Sequence, residues 1–249
     1  MLRPHPKFIT KFFNPNSLRY YNKGSIRLGT LEYYRSEEFK IISRALHDET
    51  DGAFKWSIGG KRVHYKDTTI NSGRQGGISL KNVVIDDPGA HYSYSTHYNE
   101  YVFCASVGAY SKTQHDNIRL GLGEYPGTFE YTHYAVFDLR KLADSMLRAV
   151  KKHSLHDALG AGPFVYGNYI TYSKPEERQE IDGDRENSIY TNEDAIDVIF
   201  RKPSFFKPEN EYRILVQFNY QASPLTGSPP IALQSFGIKR SIVKVGRVV

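Results

Sequence analysis

The stretch FFKPENEYRILVQF, from Phe205 to Phe218, constrains the fold more than any other. Side chains alternate across a β-strand, so Glu209, Glu211 and Arg213 would share one face. Tyr212, Ile214 and Val216 would take the other and face a core. A strand face with three charges is either a wetted surface or a working site. The wetted reading includes a Glu–Arg pair that contributes almost nothing to stability. In the working reading two carboxylates divide labour. One orients or activates a nucleophile while the other stabilises a developing cation.

Other segments have the same strand character. PKFITKFF reads as a first strand, and EYVFCASVGAY as a buried strand apolar on both faces. GPFVYGNYITYS and SIVKVGRVV read as two more. SIRLGTLEYYR reads as a strand with Ile26, Leu28 and Leu31 turned inward, and residues 57 to 99 as short strands and loops. Helical patterns are fewer. NPNSLRYYNKG suggests a short helix capped by Asn14 or Asn16 and ended by Gly24. THYAVFDLRKLADSMLRAVKKH reads as a strand entering a helix, with Leu139, Leu142, Met146, Leu147 and Val150 as its apolar stripe. NEDAIDVIFRK suggests a short helix capped near Thr191 or Asn192. Strands and helices do not alternate as βαβ units. The expected class is therefore α+β with mostly antiparallel sheets and flanking helices. No linker divides residues 1–249, which predicts a single domain.

Composition narrows function only modestly. The chain has one cysteine, Cys104, which excludes an internal disulfide framework and a cysteine zinc cluster. No apolar run reaches the roughly 20 residues of a membrane span. The N-terminal residues show no signal-peptide pattern. These points predict a cytoplasmic protein with no membrane partner. The net charge of +6 favours an anionic partner.

Two further clusters bear on chemistry. Lys11, Arg27, Tyr33, Tyr34 and Arg35 lie close together near the N-terminus. Arg forks recognise phosphates, and Tyr rings stack on flat heterocycles. Alone, the group also reads as a Tyr-rich core edge with surface cations. In YVFCAS, Ser106 sits inside an apolar strand, where its hydroxyl must find a partner. That partner is either backbone or a catalytic glutamate. His153 and His156 read as a surface pair rather than metal ligands.

Taken in order, an aromatic-basic strand, YVFCAS and then FFKPENEYRI resemble the ADP-ribosyltransferase superfamily. GSIRLGTLEYYR and the Glu-x-Glu-Tyr-Arg piece are similar to a bacterial family of small domains of that type. The resemblance spans about residues 7 to 216, with the middle unmatched. It implies two small sheets gripping NAD, consumed as a substrate, in a cleft. It also implies cleavage of the nicotinamide–ribose bond and transfer of ADP-ribose. Loss of nicotinamide leaves an oxocarbenium-like ribose, as in glycoside cleavage.

The resemblance assigns roles residue by residue. Glu211 would stabilise the developing positive charge, and Glu209 would orient or deprotonate the acceptor. Ser106 would hold Glu211 or contact the nicotinamide ribose. Lys11 stands where the superfamily usually has Arg or His, which makes Arg35 the substitute candidate for the pyrophosphate. Tyr34 would stack on nicotinamide. Arg213 would contact the cofactor or pair with a glutamate. The acceptor is a macromolecule, with RNA or DNA favoured over protein by charge and Tyr content. Family resemblance further suggests a toxin or phage-defence effector with a neutralising antitoxin protein. The alternative is a non-catalytic nucleic-acid or nucleotide-binding module on the same fold. A hydrolase built on Cys104 or Ser106 lacks a partner His at any informative spacing.

Overall fold

The computed structural model describes residues 3–36, 53–59, 63–71, 77–85, 91–97, 100–121, 131–153, 163–173, 179–180, 188–190, 199–218 and 228–248. Its strands in the N-terminal half are β1 (Phe8–Phe13), β2 (Ser25–Thr30), β3 (Ala53–Gly59), β4 (Val63–Asn71), β5 (Gly77–Ile85), β6 (His91–His97) and β7 (Tyr101–Val107). There follow β8 (His133–Asp138), β9 (Phe164–Tyr169), β10 (Thr171–Ser173), β11 (Gln179–Glu180), β12 (Ser188–Tyr190) and β13 (Arg201–Pro203). The last are β14 (Glu211–Gln217), β15 (Ile231–Gln234) and β16 (Ile242–Arg247). The α-helices are α1 (Leu18–Asn22), α2 (Leu31–Arg35), α3 (Lys112–Gly121), α4 (Leu139–Val150) and α5 (Phe236–Ser241). The class is α+β, and the main sheet is antiparallel throughout.

β7 is the trunk of that sheet. It is apolar on both faces, as its sequence predicts, because apolar clusters cover both sides of the sheet there: Phe103 and Ala105 join the main core, and Val102 joins a second cluster on the opposite face. One edge pairs with β14, which pairs in turn with β9. The other edge pairs with two strands at once. β1 meets it through Ile9↔Val107 and Thr10↔Ser106, and β2 through Gly29↔Val102 and Thr30↔Tyr101. Phe103, Cys104 and Ala105 pair with neither, so the sheet forks there. One arm continues through β8 to β16, and the other ends at β15. Three smaller sheets stand apart from this network: β3 with β6 and β11, β4 with β5 and β12, and the parallel pair β10–β13. β3 to β6 run seven to nine residues, longer than the short strands the sequence suggests.

The two faces of the forked sheet differ. On one, Ile9, Phe137, Phe103, Tyr212, Ile214 and Val216 form the main core under α1, α4 and α5. The predicted stripe of α4 is buried here except for Leu147, which is half-buried. Asp138 caps that helix by accepting the Lys141 N–H at 3.0 Å. The opposite face carries two smaller apolar clusters. Phe12, Tyr134, Val136 and Phe206 form one, and Leu31, Val102, Phe200 and Leu215 belong to the other.

Two local expectations change. The chain does not stay extended through Arg35. The Thr30 hydroxyl accepts the Tyr33 N–H at 3.0 Å and turns Leu31–Arg35 into a helix. Neither asparagine caps α1 through its side chain, because a 3-10 turn over Pro15–Ser17 precedes it. Gly24 does end that helix, at φ +69°, where an added Cβ would lie 2.6 Å from the Ser235 carbonyl oxygen. Ahead of the last strand, residues 236–241 form α5, capped by the Ser235 hydroxyl, which accepts the Ile238 N–H at 3.0 Å. The helix expected from Thr191 or Asn192 falls largely outside the described residues. Among the described residues, no helix is long and apolar enough to cross a membrane.

Candidate active site

The polar side chains of the opening stretch do not face water. Glu211 is 4% exposed, Glu209 8% and Arg213 0%. The wetted-surface reading is therefore wrong, and so is one part of the strand reading. Glu209 belongs to a 3-10 helix, Ser204–Glu209, and β14 begins only at Glu211. Asn210 between them is left-handed, at φ 43° and ψ 53°, and breaks the alternation. Asn tolerates that conformation better than most residues. Pro208 restrains the turn just before it. The Asn210 carbonyl accepts the Val107 N–H at 2.8 Å, which ties the turn to the trunk strand.

The two glutamates meet through a lysine instead of a shared strand face. Lys202 Nζ lies 2.9 Å from Glu209 Oε2 and 2.8 Å from Glu211 Oε2. Parallel pairing of β10 with β13 places Lys202 beside Tyr172, and its ammonium stands 4.6 Å over the Phe206 ring. Arg213 Nε donates to Glu211 Oε1 at 2.9 Å, and its Nη1 donates to the Ile199 carbonyl at 2.5 Å. The Glu–Arg pair is thus present but buried. Arg213 serves Glu211 from inside the protein, and its full burial does not suit direct contact with a cofactor. The backbone is fixed as well, with the Glu211 N–H donating to the Tyr172 hydroxyl at 2.7 Å.

This arrangement sets the carboxyls against each other. Burial raises the Glu209 carboxyl from 4.5 to about 7; Lys202 opposes the rise and Glu211 adds to it. Burial would also raise Glu211, but Arg213 and Lys202 together outweigh it and hold that carboxyl well below the usual range. One carboxylate stays ionised while its neighbour titrates near neutrality. Glu209 Oε1 is buried and accepts no hydrogen bond. When protonated, Glu209 can hydrogen-bond the neighbouring Glu211 carboxylate, which is one cause of its raised value; when ionised, its Oε1 has no donor.

The other candidates divide into three groups. Ser106 is the Cα partner of both Glu211 and Thr10, so the three lie side by side on one face. Among the described residues its hydroxyl does not bond Glu211, whose two oxygens are taken by Lys202 and Arg213. Tyr34 comes close to the site. Its ring packs flat against Gly29, where an added Cβ would lie 2.6 Å from Tyr34 Cζ. Burial raises the Tyr34 phenol well above its ordinary value, with Cys104, Tyr131 and Glu211 contributing.

Among the described residues, the cations paired with the two carboxylates are Lys202 and Arg213, and not Lys11 or Arg35. Lys11 alternates with Thr10 on β1, and its ammonium lies 5.7 Å from the Phe103 ring on the core side. Its charge is nonetheless felt at the Cys104 thiol. Arg35 ends α2, one residue past Tyr34. Cys104 lies at the fork itself, paired with Arg213 across the strands. Burial, reinforced by Glu211, pushes its thiol up to about 12, which removes the thiolate that nucleophilic catalysis needs.

Sequence reasoning missed Lys202, Tyr131 and Tyr172. Burial raises both phenols. Glu209 is the strongest charge acting on Tyr131, and Glu211 on Tyr172. Two lysines, Lys202 and Lys207, stand just before the glutamates in the sequence, and nothing local separates the buried one from the exposed one.

In comparisons with known proteins, the chain matches no family model, no curated protein and no solved structure.

Proposed function

We propose that this protein is an NAD-dependent ADP-ribosyltransferase acting on a macromolecule. The observation that carries the reading is the lysine-bridged pair Glu209–Lys202–Glu211. Its two carboxyls differ in protonation at neutral pH. Pairs pushed apart in this way mark acid–base assignments. The order of the sequence motifs supports the same reading.

Each residue then has a task. Glu211, ionised and held by two cations, cannot swing away as positive charge develops on the ribose. Electrostatic stabilisation depends on such preorganisation. Glu209 has the proton affinity of a general base near pH 7 and a free oxygen with which to accept a proton from the acceptor. Lys202 holds both in register. Tyr34 offers a ring beside them for a flat heterocycle.

The alternative, a non-catalytic nucleotide or nucleic-acid module on the same fold, has one observation in its favour. Both oxygens of Glu211 are already engaged by Lys202 and Arg213.

The test is incubation of wild type, Glu211→Gln and Glu209→Gln with labelled NAD and whole-cell lysate. Free nicotinamide and label fixed to macromolecules are both measured. Wild type is expected to release nicotinamide and fix label, and Glu211→Gln to lose both. Glu209→Gln is expected to release nicotinamide while fixing far less label. Neither product from folded wild type sinks the transferase reading and leaves the module.

A further inference from the structure

Acidic residues are unevenly placed along this chain. Residues 1–31 contain six Lys or Arg and no Asp or Glu. Residues 212–249 contain five and again no acid. Against a total of +6, the middle of the chain is left at −5. The whole positive excess therefore belongs to the two terminal segments.

The fold brings these segments together. β15 pairs with β2, and the Ser235 N–H donates to the Gly24 carbonyl at 3.1 Å. A Cβ on Gly24 would lie 2.7 Å from Lys239 Cβ, so Lys239 leaves the surface beside Lys23. Arg19 and Lys23 are four apart on α1 and share a face. On the far side of α5, a Cβ on Gly237 would lie 3.7 Å from Arg148 Nη2. Lys151 and Lys152, both exposed, follow directly where α4 ends at Val150. Arg19, Lys23, Arg148, Lys239 and Arg240 are all exposed. Among the described residues, the carboxylate one turn before Arg148, Asp144, pairs with none of them.

Aromatic rings lie among these charges. Arg19 stacks over Tyr20 at 4.8 Å, and Arg240 over Phe236 at 4.4 Å. Phe236 is 66% exposed and Tyr20 47%. Cations carried on exposed rings serve a polymer that presents phosphates and flat bases together. A membrane surface asks instead for a helix with a broad apolar face turned outward. α5 has six residues and buries Ile238 in the core.

We infer that the surface formed by α1, α5 and the C-terminal end of α4 is a docking site for single-stranded nucleic acid. It covers the main core, on the side of the sheet opposite Glu209 and Glu211. It is thus an exosite that holds a polymer, separate from the acceptor's reacting position. The inference goes beyond the transferase reading and does not need NAD.

The test uses fluorescently labelled 20-nucleotide mixed-sequence RNA and DNA, titrated at several salt concentrations. Binding to wild type should weaken steeply with salt. Arg19→Glu/Lys239→Glu/Arg240→Glu should lose at least tenfold in affinity. The salt slope should fall by about 2, at roughly 0.7 per lost phosphate contact for a single strand. The control Lys112→Glu/Arg119→Glu/Arg140→Glu carries the same charge change on α3 and the first turn of α4, and should lose less than threefold. Circular dichroism verifies folding. If the charge-reversed variant unfolds, photo-cross-linking on wild type decides, with adducts expected on α1 and α5. No binding by wild type overturns the proposal. So do equal losses in the two variants, cross-links confined elsewhere, or capture by phosphatidylserine vesicles without capture of oligonucleotide.

Discussion

Replacing Glu209 with Gln should stabilise this protein at alkaline pH. Glu209 has an ordinary carboxyl value of 4.5 and stands at about 7 in the fold. Between those values the folded chain holds a proton that the unfolded chain has released. Stability therefore falls as pH rises through that window and levels off above it. A gap of roughly 2.5 pH units at about 1.36 kcal/mol each corresponds to about 3 kcal/mol. Gln keeps the shape and an oxygen for Lys202 but cannot ionise. Glu211 works in the opposite direction. Its carboxyl is held low, so the stability it contributes is present at neutral pH and lost in acid. Arg213 and Lys202, the main causes of that low value, are kept in the variant, so most of that loss is common to both proteins. Urea unfolding at pH 4 and pH 8.5 measures the difference between them. The variant should gain about 3 kcal/mol on wild type between the two conditions. At roughly 2–4 °C per kcal/mol, the melting-temperature gap should shift by about 6–12 °C in the variant's favour from the lower pH to the higher. A gap that does not change with pH, or that closes as pH rises, would refute the account of Glu209.

Lys202→Met leaves two buried carboxylates without their shared cation. Removing one partner of a buried ion pair costs about 3–5 kcal/mol. The loss should be smaller at pH 5 than at pH 8, because Glu209 can then take up a proton; a loss below about 1 kcal/mol at pH 8 in urea unfolding would show that Lys202 is not holding the pair. Gly29→Ala puts a methyl 2.6 Å from the Tyr34 ring and should cost roughly 1–3 kcal/mol, read as a fall in melting temperature. An unchanged melting temperature would mean the ring is not packed there. Cys104 is half-buried with its thiol pushed up to about 12, so at pH 8 it should react with a thiol reagent far more slowly than an ordinary cysteine. Prompt stoichiometric labelling of native protein would contradict its environment.

The sequence by itself determined the parts of this protein that depend on period. Tyr212, Ile214 and Val216 face the core because alternate residues of a strand must, and β7 reads as apolar on both faces because an apolar cluster covers each of them. The stripe on α4 and the stop at Gly24 were legible for the same reason, since spacing and a single glycine carry them locally. Tertiary structure alone decided the rest. Whether charges on a strand are wet depends on what covers them, and period says nothing of that. Glu209 and Glu211 meet because a left-handed Asn210 turns one off the strand while β10 and β13 bring Lys202 between them. Two residues that look equivalent in sequence therefore titrate on opposite sides of their ordinary value. The fork opposite Phe103 to Ala105 is likewise invisible in the sequence. It exists because two strands far from β7 in the chain share one of its edges, and local propensity carries no record of a shared neighbour.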